Sequence, residues 1–296
     1  MKLPADVPWL NDAGALGLCA ALERAGFQAL FVGGCVRNAV LGVQASDIDI
    51  ATDATPDQVQ SVSKAAGFRT IPTGIDHGTL TVVIDGDPYE VTTFRNDVET
   101  DGRHAVVAFS TDVADDARRR DFTMNALYAR ADGTVVDPLG GLPDALARRG
   151  GFIDDAAARI REDYLRILRF FRFSAWYADP AHGFDADALA AIATHLDGLA
   201  HLSAERVGAE MTKLLGAPDP APAVAVMERV GVLMQLLSGA QARWLAPLIH
   251  AESMLDLSPD PMRRLAVLGG EDVADRLRLS KADARSVELL REQAGT

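Results

Sequence analysis

The stretch GGCVRNAVLGVQASDIDIAT, residues 33–52, decides the fold. Two glycines open a turn into a short helix that stops at Gly42, and SDIDIAT then alternates as a strand, with Ile48 and Ile50 on one face and Asp47 and Asp49 on the other. Gly33 and Gly34 carry no side chain that would keep a phosphate from the backbone amides, and the helix N-terminus adds a partial positive charge. Arg37, one turn in, can fork a phosphate oxygen. Asp47 and Asp49 can share Mg²⁺ ions whose remaining ligands are water and phosphate. Glu90, in PYEVTTF, is the candidate third carboxylate. A Gly-Gly pair or an Asp-x-Asp alone is a weak signal; in this order and spacing the two reinforce each other.

Outward from this stretch, the chain continues as an α/β unit. Asp12 is placed to cap a helix that ends at Gly26, and FQALFV follows as a buried strand. TPDQVQSVSKAAG carries a helix start and a glycine stop. FRTIPT, HGTLTVVID and PYEVTTF read as strands, the last two joined by a Gly-Asp-Pro turn. From about 95 to 110 the pattern dissolves into a polar loop, and after DGTVVDPLGGLPDA the extended signal largely stops. The rest reads as helices over 160–178, 185–196, 203–216, 220–236, 240–254 and, with breaks, 260–292. The expectation is an α+β chain, a mixed-sheet head over 1–140 followed by an all-helical remainder.

Composition agrees with a globular, intracellular chain. In 296 residues, 48% are apolar and 24% charged, which excludes disorder, collagen and coiled-coil arrays as whole-chain descriptions. The two cysteines, Cys19 and Cys35, lie in apolar stretches where reduced thiols pack well, and no apolar run is long enough to span a bilayer, so a cytoplasmic protein without an export or membrane segment is expected. The histidines show no metal-ligand spacing, and His77 reads as structural. The net charge of −13 argues at first against a polyanionic partner, but Arg118–Arg172 holds eleven arginines and no lysine against eight acids. Arginine without lysine suits planar, bidentate recognition of phosphate or bases; the competing reading is a general preference for arginine in an Ala- and Gly-rich composition.

Within that segment, REDYLRILRFFRF gathers charge along one helical flank. At about 100° per residue from Asp163, Arg166, Arg169 and Arg172 share a side opposite Ile167, Leu168 and Phe171. Phe170 and Phe173 interleave with the charges and either stack a base or seal the head against the next domain; sealing is favoured because aromatics at helical spacing usually belong to a core. A carboxylate accepts from the exocyclic amino group that C and A share, and an arginine donates to the adjacent ring nitrogen or carbonyl, so G and U would be rejected. The plainer alternative is an intrahelical Asp163–Arg166 pair.

Taken with HGTLTVVIDGDPYEVTTFR, RRRDFTMNALY and REDYLRILRFFRF, the 33–52 stretch resembles the nucleotidyltransferase superfamily that includes DNA polymerase β. It is most similar to the class II tRNA nucleotidyltransferases, the CCA-adding enzymes, and to the related bacterial poly(A) polymerases. The resemblance covers roughly residues 27 to 215. It implies a polymerase-β-like head over 1–140, a helical neck over 141–205 bearing the base-reading helix, and a helical body over 206–296 with the tail short or absent. It implies that Asp47 and Asp49 hold two Mg²⁺ ions, with Mn²⁺ as a substitute, and that Gly34 and Arg37 grip the triphosphate. It further implies that Arg120 approaches the nucleotide, that Asp121 and Asn125 order that turn and the sugar side, and that Asp163 and Arg166 read the base with Arg169 and Arg172 in support. Arg103 matches a position tied to switching between C and A addition. Asn38 stands where the family commonly has Asp, which keeps the hydrogen-bonding shape and loses the charge. The activity implied is template-independent addition of C and A from CTP and ATP to the tRNA 3′ end. A poly(A) polymerase and a non-catalytic RNA-binding module are the other readings.

Overall fold

The computed structural model describes residues 1–43, 47–101 and 104–294. The chain forms two compact units, Met1–Asp154 and Asp155–Thr296.

Among the described residues of the first unit, nine strands are β1 (Ala29–Val32), β2 (Asp49–Thr52), β3 (Arg69–Gly74), β4 (Thr79–Ile84), β5 (Asp87–Thr93), β6 (Arg95–Asp101), β7 (His104–Phe109), β8 (Tyr128–Ala129) and β9 (Val135–Val136). Seven of them make one sheet in the order β3-β4-β5-β2-β1-β8-β9. Its pairs are antiparallel except β2 with β5, so the sheet is mixed as expected. The β1 run is apolar on both faces because helices cover the sheet, and all four of its residues are buried. Helix Ala13–Arg24 starts where Asp12 accepts the Ala15 N–H at 2.7 Å, and Pro56–Ala65 starts on a reciprocal Thr55/Gln58 capping box.

Three details differ from the sequence reading. β2 begins only at Asp49, with Asp47 exposed in the lead-in. The β4–β5 turn is Asp85-Gly86, both at positive φ (53° and 100°), so Asp87 and Pro88 already belong to the strand. This is the twist-matched two-residue hairpin, which Asp-Gly favours. The expected polar loop at 95–110 is a separate two-stranded ribbon, β6 with β7. Its first strand, RNDVETD, is polar along most of its length and lacks the apolar alternation that marks a strand.

The head also runs past the expected boundary at 140, to Asp154. Ile153 joins the core cluster of Leu30, Val32, Ala51, Phe94, Ala117, Ala126 and Tyr128, and its N–H donates to the Asp121 carbonyl at 3.0 Å. Phe152 packs its ring 5.0 Å from that of Phe122. Apolar burial on the sheet therefore holds the segment 141–154 in the first unit.

The second unit is helical, in line with the expectation. The stretch read as one helix over 160–178 is two, Ala156–Glu162 and Leu165–Tyr177, because Asp163 between them is extended (φ −155°, ψ 108°). The stretch read over 220–236 divides at Gly231, in the left-handed region at φ 90°. The expected neck-body boundary at 205/206 falls inside the helix Ala204–Leu215, where the chain runs on unbroken.

Candidate active site

In the head, the glycine turn and the acidic strand edge are assembled as neighbours of one arginine. Gly33 takes φ 71° and ψ −118°, beyond the reach of a residue with a Cβ, and Gly34 begins the helix Gly34–Leu41. A Cβ on Gly33 would lie 3.3 Å from Arg120 Nη1, so the bare backbone is what admits the guanidinium. Asp49 pairs in parallel register with Glu90, which sets two carboxylates side by side on adjacent strands. Burial first, then the charges of Glu90 and Asp47, push the Asp49 carboxyl up to about 6 against the opposing pull of Arg120. Among the described residues no three His, Cys, Asp or Glu side chains form a ready-made metal cage.

Arg120 is locked from behind. Its Nη2 donates to Asp116 Oδ2 at 2.9 Å and its Nε to the Tyr128 hydroxyl at 3.1 Å, while Tyr128 donates to the same Asp116 oxygen at 2.7 Å. Burial works against the Asp116 anion, yet Arg120, Arg119 and the Tyr128 hydroxyl outweigh it and hold the carboxyl down to about 2. Arg119 supplies a further bond to Asp116 at 2.8 Å.

Arg37 is placed differently from the sequence reading. It is buried, its Nη1 donating to Asn125 Oδ1 at 2.6 Å and its Nε and Nη2 to Asn38 Oδ1 at 3.1 and 2.9 Å. Asn125 in turn donates to Asp121 Oδ1 at 2.9 Å, and that oxygen also accepts the Phe122 N–H at 2.9 Å. Asp121, Asn125, Arg37 and Asn38 thus form a chain that braces the helix behind the glycine turn. Asn38 supplies the acceptor by shape alone. Cys35, in the same helix, is buried and its thiol is pushed up to about 11 by burial, which leaves it a packing group.

In the second unit, Asp163 closes the first helix and opens the next, its Oδ1 accepting the Leu165 N–H at 3.1 Å and its Oδ2 the Arg206 Nη2 at 2.6 Å. Because Asp163 is extended, it does not share the helical wheel with the arginines. Arg166 donates its backbone N–H to the Asp163 carbonyl at 3.0 Å, and its side chain donates to the Arg159 carbonyl at 2.9 Å and to the Glu162 carboxylate. Arg172 Nε meets buried Glu210 at 2.6 Å and Arg169 approaches the same carboxylate at 4.0 Å, with both guanidinia over the Phe173 ring at 4.4 and 5.3 Å. Phe170 is buried between Phe171 and Phe184 at ring distances of 5.4 and 6.1 Å, and Phe173 is buried too. Both aromatics are therefore core of this unit.

Residues 29–149 match the Poly A polymerase head domain and residues 183–243 the "Probable RNA and SrmB- binding site of polymerase A". In the solved structure of Bacillus stearothermophilus CCA-adding enzyme in complex with CTP, 33% of residues are identical, the TM-score is 0.71, and the match covers 95% of this chain and 68% of that one. The chain belongs to the class II tRNA nucleotidyltransferase and poly(A) polymerase family. Other relatives in this family are CCA tRNA nucleotidyltransferase 1, mitochondrial, of Danio rerio, 37% identical over 91% of this chain and 64% of its own length, and the CCA-adding enzyme of Geobacillus thermodenitrificans, 40% identical over 78% and 56%. The chain thus spans somewhat less than two thirds of the length of these curated relatives.

Within this family framework, Arg103 lies outside the described residues. Five residues that hold the candidate side chains in place, Asp116 and Tyr128 within the first unit and Glu162, Arg206 and Glu210 within the second, were not singled out from sequence. Asp116 and Glu162 stand four residues before Arg120 and Arg166, a spacing that signals a helical ion pair. Tyr128, Arg206 and Glu210 reach their partners across the fold, and no local pattern marks them.

Proposed function

We propose that the chain is a template-independent tRNA nucleotidyltransferase, adding C and/or A from CTP and ATP to the tRNA 3′ end with release of pyrophosphate. The observation that carries this reading is the Asp49–Glu90 pairing beside Asp47 and Arg120, an acidic edge next to a glycine turn. Relatives named for CCA addition, one solved with CTP, support it. The RNA 3′ hydroxyl oxygen bonds to the α-phosphorus, the bond to the β-phosphate oxygen breaks in line, and the hydroxyl proton is released.

The donor set suits Mg²⁺, or Mn²⁺. Asp47 and Asp49 are hard oxygen ligands, and burial, followed by repulsion from Glu90 and Asp47, raises Asp49 in a way that a divalent cation would offset. Bound there, Mg²⁺ supplies charge neutralisation of the triphosphate and eases formation of the 3′ alkoxide. The amides at Gly33 and Gly34 and the Arg120 guanidinium receive phosphate oxygens, while Arg37, Asn38, Asp121 and Asn125 keep that wall in shape. Asp163 accepts from the exocyclic amino group of C or A, Arg166 donates to the ring edge, and Arg169 and Arg172 keep their helix in place through Glu210. Glu90 tunes Asp49 and stands as the third carboxylate.

A reducing compartment suits the buried free thiols, and the cytoplasm is the one we propose. Among the described residues no helix is long and apolar enough to cross a membrane. The deciding experiment supplies labelled CTP and ATP, separately and together, to tRNAs ending before, within and after CCA. Addition that stops after one to three nucleotides supports the reading, and a long A-tail replaces it with a poly(A) polymerase. Nucleotide binding without incorporation under any metal would leave a non-catalytic module. An Asp49→Ala protein as active as wild type sinks the metal assignment.

A further inference from the structure

The carboxylate assigned above to base reading is pinned at both oxygens. The Leu165 N–H donates to Asp163 Oδ1 at 3.1 Å, and Arg206, on the helix Ala204–Leu215, donates to Oδ2 at 2.6 Å. The backbone of the same turn is located by the next residue. The Tyr164 ring lies on Gly198 so closely that a Cβ there would come within 2.0 Å of it, and the His201 ring stands 6.3 Å away. Tyr164 thus sets where the turn is, and Arg206 sets how the carboxylate plane is rotated about χ2, a torsion that is otherwise broad.

The pair is also partly open to solvent, with side-chain exposure of 34% for Arg206 and 28% for Asp163. An ion pair of that exposure contributes little to folding. Its effect on direction is larger, because each pinned oxygen keeps an outward lone pair whose position no longer wanders. A base amino group can meet such a lone pair, whereas the carbonyl that G and U carry in its place meets unrelieved acceptor against acceptor. A carboxylate free to turn would ease that clash and weaken the match to C and A together.

We propose that Arg206 is a positioning residue for nucleotide selection, acting through Asp163. The proposal rests on the reading of Asp163 as acceptor for the base. It predicts that Arg206→Met raises the KM for both CTP and ATP by roughly tenfold, the loss of about one charge-assisted hydrogen bond. The kcat stays within about threefold, and the preference for CTP over UTP falls by a similar factor. Arg206→Lys, which keeps the cation and loses the fork, restores part of the preference.

The test measures CTP and UTP binding by calorimetry and incorporation into tRNA lacking CCA, for wild type, both Arg206 variants and Asp163→Ala with and without Arg206→Met, with thermal melting alongside. Reduced CTP preference with unchanged melting, part rescue by lysine, and no further loss when Arg206→Met is added to Asp163→Ala support the inference. An unaltered CTP-to-UTP ratio in Arg206→Met overturns it, as does a melting loss with the ratio preserved, which would make Arg206 merely structural. If wild type itself neither prefers CTP nor incorporates it, the functional reading fails and takes this inference with it. A selective wild type beside an equally selective Arg206→Met protein defeats the inference alone.

Discussion

Arg120 and Asp116, four residues apart, meet at 2.9 Å beneath the glycine turn, with the Tyr128 hydroxyl donating to the same carboxylate oxygen at 2.7 Å. The side chain of Asp116 is 1% exposed, so removing it leaves an uncompensated cation against the core. Asp116→Ala is expected to cost about 3–5 kcal/mol and to weaken triphosphate binding as Arg120 loses its anchor. Tyr128→Phe keeps the ring and removes one hydrogen bond, for about 1–2 kcal/mol. Chemical denaturation of both variants, with nucleotide affinity measured in parallel, checks the order; equal losses would show that Asp116 does not anchor Arg120.

Asp49 gives a pH dependence of defined sign. Its carboxyl is raised from the ordinary value of about 3.8 to about 6, chiefly by burial and then by Glu90. A raised folded value means that its contribution to stability is complete below about 3.8 and is lost as pH rises through about 6. The metal-free protein should therefore gain stability from this group between pH 7.5 and 5, by about 2 kcal/mol at most. Asp49→Asn should flatten that rise and be the more stable protein at pH 7.5. Melting in chelator across this range is the measurement, and a variant with wild-type slope would remove Asp49 as its source.

Glu210 separates structure from recognition at Arg169 and Arg172. Both guanidinia converge on this buried carboxylate, so Glu210→Ala should destabilise the second unit by about 3–5 kcal/mol. Discrimination between CTP and UTP should survive at temperatures where the variant is folded. A loss of discrimination without a loss of stability would return the two arginines to the base.

Gly208 tests backbone proximity. A Cβ at this position of the helix Ala204–Leu215 would lie 1.9 Å from the Leu277 carbonyl oxygen, and a backbone atom cannot move aside as a side-chain tip can. Gly208→Ala should cost about 3 kcal/mol, although alanine favours the helix itself. Melting of the variant decides; unchanged stability would mean that the two backbones are free to part.

Legibility in the sequence followed the range of the interaction. Asp12 capping Ala15 and the Thr55/Gln58 capping box act within three residues, and both were readable from the order of residue types. The glycine turn and Asp-x-Asp were readable for the same reason, as short segments whose backbone conformation the residue types already restrict. The ribbon of β6 with β7 escapes the sequence reading because RNDVETD is polar along most of its length and shows no apolar alternation. The break at Asp163 was hidden by periodicity, since the charged and apolar spacing on either side suits one continuous helix while the Asp163 side chain caps the next turn instead.

Residue order by itself determined most of the local elements of this protein, the family it joins and the residue types at its candidate site, because caps, alternation and turn chemistry are settled within a few bonds of the backbone. Only the tertiary structure decided the partners: Glu90 beside Asp49 through parallel pairing, Arg206 on Asp163 across 43 positions, Glu210 under Arg172 across 38, and Ile153 in the head's core. Those choices depend on which surfaces pack together, and side chains so distant along the chain leave no periodic trace of the neighbour they will find.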